Sequence, residues 1–352
     1  MAQSALNLIN VRVGELADTL RHAIGADINC VVMGGPGLGK TQIAKQVAAA
    51  ESMQYSEMLL AGRDIGDVMM PYVEPSEGLT FHYNPAIPIN GNPNFDHEIP
   101  TLLNIDEFSG ANRLMQNVLL KALDERLIGE AKLQPKVSIM ATGNRAWDLA
   151  HTEQLSAALG NRATFVNVEP DLEAFLHYGV AHNFHPLVLA WVKFDPQYLF
   201  RFDSDQFLAG DPAFCSPRSN ERLSQILHQR DRVSMSDNIF RALVCGTIGA
   251  AIGIKFTGFC QMEKDLPDIR AMLNGAQQHH PKDPSVIYAT IFSIVQQVSE
   301  KSLKNALDYV SGFQREWGQM FVSSFVPAKP DLIATSEWGE FVSENANFLA
   351  NR

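Results

Sequence analysis

Eight consecutive residues have the types and the spacing of a phosphate-binding loop. Gly34-Gly35-Pro36-Gly37-Leu38-Gly39-Lys40-Thr41 fits the pattern G-x-x-x-x-G-K-[ST] at every fixed position. Glycines let backbone N–H groups converge on phosphate oxygens, and the amino end of a following helix adds positive charge. Lys40 would reach the β- and γ-phosphates of ATP, and the Thr41 hydroxyl would hold Mg²⁺. We predict that nucleotide is bound by Gly35, Pro36, Gly37, Leu38, Gly39, Lys40, Thr41 and Gln42.

Two carboxylates follow a second apolar run, Leu102 to Ile105. If this run is a strand, it delivers Asp106 and Glu107 to the carboxyl edge of the sheet, where the phosphate-binding loop also lies. Asp106 would support Mg²⁺, and Glu107 would orient or deprotonate the attacking water. The sequence therefore predicts a hydrolytic site beside the loop.

A third apolar run, Val137 to Thr142, is followed by Gly143 and Asn144. At the same edge of the sheet, Asn144 could hydrogen-bond the γ-phosphate or the lytic water. An Asn that serves only the backbone angles of a turn is the alternative. We predict the catalytic role because the two other motifs are present.

Strands that alternate with helices must position these residues. An amphipathic helix is predicted from Val13 to Ile24, and strands over 28–33, 58–60, 101–105, 137–142 and 163–168. Helices over 42–51 and 113–126 complete the alternation, which indicates a parallel sheet covered on both faces. Residues 62–100 are rich in Pro, Gly and Asn and predict an inserted hairpin or functional loop. A second short hairpin is predicted around 129–135.

After Glu169-Pro170 the alternation stops and the sequence reads as helices. These are predicted at roughly 171–193, 217–233, 236–256, 284–320 and 336–349. The predicted organisation is an α/β nucleotide-binding core over 1–170 with its insertion at 62–100, a helical lid domain over 171–300, and a helical extension over 301–352.

The composition is that of a soluble globular protein, with 352 residues, 46% hydrophobic and 19% charged. The net charge of −11 argues against a protein that holds nucleic acid mainly through phosphate contacts. The four cysteines show no metal-binding spacing, which favours buried free thiols for Cys30 and Cys245. No secretory signal is visible and the longest apolar run, 242–254, is too short to span a bilayer, so we expect a cytoplasmic protein.

The motifs together resemble those of the AAA+ ATPases, and more narrowly the MoxR branch, close to the dynein-related group. In that branch a strand and Asp-Glu precede a helix that carries Gln and a Leu-rich face ending near Glu-Arg. Here Asp106-Glu107 precedes a segment with Gln116 that ends at Glu125-Arg126. Ala141-Thr142-Gly143-Asn144 is similar to the family's sensor-1 element. The resemblance covers about residues 10–235.

The resemblance points to two arginines. Leu155-Ser156-Ala157-Ala158-Leu159-Gly160-Asn161-Arg162 stands where the family places its arginine finger, which neutralises charge on the phosphoryl group bound by a neighbouring subunit. Ser216-Pro217-Arg218-Ser219 is similar to the sensor-2 pattern, in which the Arg reaches the nucleotide of its own subunit. A surface arginine is the alternative for Arg162. Helix capping alone would explain Ser216 and Pro217.

This resemblance implies a ring-forming, Mg-ATP-hydrolysing, chaperone-like ATPase that remodels or activates a partner protein. It further implies a homo-oligomer, a hexamer, whose partner is often a von Willebrand factor A-domain protein, with the 62–100 insertion as a contact surface. A nucleic-acid-directed AAA+ motor of defence or replication remains the alternative, as does a non-hydrolysing nucleotide-gated adaptor. A small-molecule kinase is disfavoured because Asp106-Glu107, Asn144 and Arg218 form a hydrolase pattern.

Overall fold

The computed structural model describes residues 9–76, 78–145, 160–203, 207–208 and 210–346. The chain divides into two compact units, Met1–Asp171 and Leu172–Arg352. The first unit holds every strand found in the described residues, and the second is helical. The finer predicted division at residue 300 stays a prediction.

The first unit is built on a six-stranded, fully parallel sheet. Its strand order is β1-β10-β2-β9-β6-β3. The strands of the unit are β1 Asn10–Arg12, β2 Cys30–Gly34, β3 Gln54–Leu59, β4 Met69–Glu74, β5 Gly78–Tyr83, β6 Thr101–Asp106, β7 Leu127–Ile128, β8 Ala131–Lys132, β9 Val137–Gly143 and β10 Thr164–Glu169. Its helices are α1 Val13–Gly25, α2 Lys40–Ala50, α3 Ile65–Val68 and α4 Arg113–Glu125.

The central strand β2 is buried along its whole length, so its side chains alternate between two apolar cores. Val31 and Met33 belong to the core that contains Met115 of α4. Val32 belongs to the core that contains Leu16 of α1. Helices therefore cover both faces of the sheet, and the predicted α/β class is confirmed.

The predicted insertion contains a hairpin, in which β4 pairs with β5 in antiparallel register. The second predicted hairpin is also present, although β7 begins at Leu127 rather than near 129. The two hairpins contact each other: the Glu130 N–H donates to the Tyr83 hydroxyl at 3.3 Å, and Ile89 pairs with Leu133. The insertion is thus a folded element that contacts the second hairpin and also strand β3, where Gln54 Nε2 donates to the Asp96 carbonyl oxygen at 2.8 Å.

The second unit is all helical, as the sequence predicts. Its helices are α5 Leu172–Ala181, α6 Pro186–Phe194, α7 Pro217–Arg232, α8 Asp237–Ile248, α9 Ala250–Phe259, α10 Ile269–Leu273, α11 Pro284–Gln297, α12 Leu303–Ser311, α13 Arg315–Ala328 and α14 Ser336–Glu344. Among helices within the described residues, none is long and apolar enough to cross a membrane.

Three predicted helices are wrong in their extent because each is interrupted. The helix predicted over 171–193 stops at Ala181 and restarts at Pro186, with His185 as its N-cap residue. The helix predicted over 236–256 breaks at Gly249, whose φ of +91° suits glycine. The helix predicted over 284–320 is three helices, α11, α12 and α13.

Helix α3, inside the insertion, was not predicted, and neither were two elements outside it. Strand β1 is only three residues long and forms through pairing with β10, in which Asn10 lies opposite Asn167. The short helix α10 begins after Asp268, whose side chain accepts the Ala271 N–H at 3.0 Å. Both depend on local or cross-strand polar contacts rather than on apolar periodicity.

Candidate functional site

The glycine loop lies at the carboxyl end of β2 and runs directly into α2. Gly37 and Gly39 have φ values of +79° and +87°, which explains why glycines stand there. A Cβ atom at Gly34 would lie 2.9 Å from the Val168 carbonyl oxygen, so β10 leaves no room for a side chain. Helix α2 begins at Lys40 with Gly39 as its N-cap residue. The amino end of α2 therefore faces the loop without a capping side chain from that residue.

The Lys40 side chain is 8% exposed and lies within the loop. Its Nζ donates to the carbonyl oxygens of Gly34 at 2.8 Å and Gly35 at 2.9 Å. It also lies 3.4 Å from Oδ1 of Asn144. The structure therefore brings Lys40 and Asn144 together, although 104 positions separate them in sequence.

Asp106 ends β6 and accepts hydrogen bonds on both carboxylate oxygens. Oδ2 accepts from the Thr41 hydroxyl at 2.9 Å, and Oδ1 accepts from the Glu107 N–H at 2.9 Å. Oδ1 also accepts from the hydroxyl of Thr142. A hydroxyl and a carboxylate are the hard oxygen ligands that Mg²⁺ prefers. Thr41 and Asp106 therefore fit the predicted metal.

Glu107 has a strained backbone. Its φ is +52°, a left-handed conformation that is unusual for a residue other than Gly, Asn or Asp. The following residue, Phe108, is fully buried and starts a short 3₁₀ turn, Phe108–Gly110, while the Glu107 side chain is exposed. Strain of this kind collects at functional sites. The turn thus holds a carboxylate in the open, next to Asp106.

Ser109 joins this turn to the strand that carries Asn144. The Asn144 N–H donates to Ser109 Oγ at 2.9 Å. A Cβ atom at Gly143 would lie 3.0 Å from Ser109 Oγ and 3.1 Å from Met33 Sδ. Gly143 therefore allows the turn, β9 and β2 to pack closely behind the site.

Sequence reasoning missed Thr142 and Ser109 as residues of the site. Thr142 is two positions before Asn144, so in a strand the two face the same side of the sheet. This spacing could have predicted that Thr142 lies at the site. Ser109 gave no such signal, because its contact with Asn144 depends on how β6 and β9 are aligned.

Arg162 lies at the opposite edge of the sheet from the glycine loop. It is two residues before β10, whose first residue, Thr164, pairs with Cys30 at the start of β2. The length of β2, five residues, separates the two edges by roughly 15 Å. Asn29, just before β2, donates to the Leu123 carbonyl at 2.8 Å, which places the end of α4 at the same edge.

At this edge Arg162 contacts α4. Its Nε donates to Asp124 Oδ2 at 2.9 Å. Residues 155–159 of the predicted finger motif lie outside the described residues. The structure thus brings together Lys40, Thr41, Asp106 and Asn144, with Glu107 beside them, and does not bring Arg162 to them.

Arg218 belongs to the second unit, at the second position of α7, and is exposed. The predicted cap is confirmed: the Ser219 N–H donates to Ser216 Oγ at 3.2 Å, and Pro217 is the first residue of the helix. A role for Arg218 at the nucleotide stays a prediction.

Three possible metal ligands converge in the second unit, within the residues described: His185, Asp231 and Glu263. Arg230 Nη2 lies 2.5 Å from Glu263 Oε2 and 3.6 Å from Asp231 Oδ1, so a fixed positive charge already lies among them. His185 Nδ1 accepts the Leu187 N–H, which leaves Nε2 to donate to Asp231 at 3.1 Å and lowers the pKa of that carboxyl. The cluster is an ion-pair network.

The four cysteines are free. Burial raises the pKa of the Cys30 thiol to about 11, and those of Cys215 and Cys260 to about 12. Cys245 is only half-buried, unlike the prediction; it lies near the end of α8, and its Sγ lies 3.8 Å from the Ala250 carbonyl oxygen. Three of the thiols are therefore inert packing residues.

No family model and no curated protein sequence matches this chain. Among solved structures, the RuvB Holliday junction branch migration motor of Thermotoga maritima is similar at 16% identity with a TM-score of 0.38, covering 74% of this chain and 74% of that chain. A protein of Cytophaga hutchinsonii proposed to be an ATPase is similar at 14% identity with a TM-score of 0.36, covering 77% and 92%. Likenesses this low carry no argument about activity, which therefore rests on the site.

Proposed function

We propose that this protein is a ring-forming, Mg²⁺-dependent ATPase of the AAA+ type, of the MoxR branch, which acts on a partner protein. The observation that carries the proposal is the convergence of Lys40, Thr41, Asp106 and Asn144 at the carboxyl edge of the sheet. Thr41 lies 2.9 Å from Asp106, and Lys40 lies 3.4 Å from Asn144. A cation, a metal-binding pair and an amide at the amino end of α2 are the groups that ATP hydrolysis needs.

Each residue would contribute one part of the reaction. Backbone N–H groups of Gly35 and of residues 37–41, together with the Lys40 side chain, bind the phosphates, while Asn144 orients the γ-phosphate or the water. Bound Mg²⁺, held by Thr41 and Asp106, would neutralise charge on the phosphate oxygens. Glu107, exposed on its strained turn, accepts the proton of the attacking water or orients it.

The position of Arg162 supports an oligomeric ring. Arg162 lies at the amino edge of the sheet, roughly 15 Å from the loop of its own subunit, so a catalytic Arg162 would act on the site of a neighbouring subunit. A head-to-tail contact of this kind forms a ring when the rotation between successive subunits closes. We propose a homo-oligomeric ring, with six subunits as the resemblance implies.

The exposed surface of the β4–β5 hairpin supports a protein partner. Met70, Tyr72, Val73 and Leu79 are each at least half exposed, between 50% and 71%. The hairpin, Met69 to Tyr83, contains no Lys or Arg, so it offers no cation to a phosphate backbone. Apolar and aromatic surface of this kind is typical of protein contacts.

ATP turnover by the Lys40→Ala and Glu107→Gln variants tests the ATPase. Both should lose at least about 100-fold in turnover, because each removes a group that acts in the transition state. Glu107→Gln should still bind nucleotide. Lys45→Ala is the matched control, since Lys45 lies on the same helix and pairs with Glu57 at 2.8 Å, away from the site.

The outcomes separate the alternatives. Turnover that survives Lys40→Ala would refute this site. Tight ATP binding without turnover in the wild-type protein at any concentration would favour the adaptor. Turnover that rises several-fold on adding duplex or single-stranded DNA would favour the nucleic-acid motor.

A further inference from the structure

Thr142 is a fully buried polar residue in the middle of the sheet. Its exposed fraction is 0%, and it lies on β9 between β2 and β6, where Val32 is its partner in β2. Ile105 of β6 pairs with Ala141 of β9. The residues that follow them, Asp106 and Thr142, therefore lie side by side. This register explains why the Thr142 hydroxyl reaches Asp106 Oδ1.

A hydroxyl at this position needs a reason. Valine has nearly the same shape, suits a central strand, and carries no polar group to desolvate. The hydrogen bond to Asp106 offsets the cost of burying the hydroxyl. A bond to an ionised carboxylate is also stronger and shorter than one between neutral groups.

The two Asp106 oxygens have different partners. Thr142 and the Glu107 N–H hold Oδ1, while Oδ2 lies 2.9 Å from the Thr41 hydroxyl. Fixing Oδ1 from inside the sheet fixes the rotation of the carboxylate, and therefore the direction in which Oδ2 faces Thr41. Groups that orient a metal ligand in this way set its affinity for the metal.

We infer that Thr142 is a positioning residue, which orients the Asp106 carboxylate for Mg²⁺. It thereby sets the Mg²⁺ concentration that Mg²⁺-dependent nucleotide binding requires. The inference rests on the proposed function. Thr142 itself would touch neither nucleotide nor metal. Its effect would reach the nucleotide only through Asp106.

Binding of N-methylanthraniloyl-ADP, titrated with MgCl₂, tests the inference by fluorescence. Thr142→Val should raise the Mg²⁺ concentration at the midpoint by about 10- to 100-fold, the usual cost of losing such a partner. The affinity without Mg²⁺ should not change. Thr142→Ser keeps a hydroxyl and should restore the wild-type midpoint.

Thr101→Val is the matched control. Thr101 is a buried threonine, 1% exposed, at the other end of β6, where its hydroxyl accepts from Gln54 Nε2 at 3.1 Å. Removing it should leave the Mg²⁺ midpoint unchanged. If Thr142→Val does not fold, as judged by thermal unfolding, Thr142→Ala and Thr142→Ser form the same comparison.

The inference is overturned if the valine and serine variants have the same Mg²⁺ midpoint, or if the valine variant matches the wild type. It is also overturned if nucleotide affinity falls equally with and without Mg²⁺. These outcomes leave the proposed function standing. Absence of any nucleotide binding by the wild-type protein would instead remove the proposed function, and this inference with it.

Discussion

Replacing Asp124 by Asn should weaken ATP turnover by only about 1.4- to five-fold. Arg162 Nε donates to Asp124 Oδ2 at 2.9 Å, and the two side chains are 35% and 52% exposed. Ion pairs this exposed contribute about 0.2–1 kcal/mol. At about 1.36 kcal/mol per tenfold change, the upper value corresponds to about five-fold. The pair can therefore bias the orientation of Arg162 by no more than this factor.

Removing Arg162 itself should cost much more, about 10³-fold or above, because its charge acts on the phosphoryl group. Steady-state turnover is measured at saturating ATP and at protein concentrations where oligomers form. The variants are Asp124→Asn, Arg162→Ala and the double variant. In the double variant the Asp124 change should add nothing, because Asp124 acts only through Arg162.

Asp27→Asn is the control for loss of an exposed ion pair. It removes a contact of 2.7 Å with Arg126 Nη2 in the same unit, and Asn tolerates the φ of +53° at this position. Its turnover should equal that of the wild type. An Asp124→Asn variant as inactive as Arg162→Ala, or one that lowers turnover further in the Arg162→Ala background, would refute an indirect role for Asp124.

Three further predictions concern the second unit. Phe256→Ala should lower the free energy of unfolding by about 3–5 kcal/mol in a denaturant titration, because Phe256 is fully buried against Trp191; an unchanged midpoint would contradict this packing. Asp231→Asn should destabilise the protein at pH 7, and the difference in stability from the wild type should shrink as the pH falls below 3.8, the ordinary pKa of Asp. The His185 hydrogen bond lowers the pKa of Asp231 in the folded protein. The stabilisation is therefore present above pH 3.8 and is lost as the pH falls through the lowered pKa. A difference that grew in acid would have the wrong sign. Cys245 should react with iodoacetamide before the buried thiols, and Cys245→Ser should abolish that first phase, as mass spectrometry of the labelled protein would detect.

The site residues at the carboxyl edge of the sheet could be predicted from the sequence because their signals are local. The glycine loop, Asp106-Glu107 and Asn144 each follow a run of apolar residues, and parallel strands bring their carboxyl ends to one edge of a sheet. The same reasoning gives the parallel sheet, since strands and helices alternate. No contact between distant residues has to be known.

The contacts that refine the site depend on register and strand order. Thr142 reaches Asp106 because Ala141 lies opposite Ile105, and nothing within either strand states that alignment. The position of Arg162 at the amino edge depends on β10 lying beside β2. Such relations are set by packing of the whole sheet, so one strand read alone does not reveal them.

The breaks in the predicted helices are of two kinds, those marked by a proline or glycine and one that is not. Pro186 and Gly249 are local signals of a helix break. The continuous helices were predicted because the apolar periodicity runs through both positions. Val298 is different, because it ends α11 while 3% exposed in the core and has no glycine or proline beside it. The local signal there is the serine that follows: Ser299 is the N-cap residue of the next turn, and its N–H donates to Ser302 Oγ at 3.0 Å.

The central claim is that one subunit's Arg162 completes the ATP site of its neighbour. The most direct test is ATP turnover in an equal mixture of Lys40→Ala and Arg162→Ala subunits, each inactive alone. A Lys40→Ala subunit keeps its arginine and an Arg162→Ala subunit keeps its site, so random mixing makes one half times one half of the interfaces functional. A site shared between neighbouring subunits should therefore give about a quarter of wild-type turnover. A mixture that forms mixed oligomers and stays inactive would contradict it.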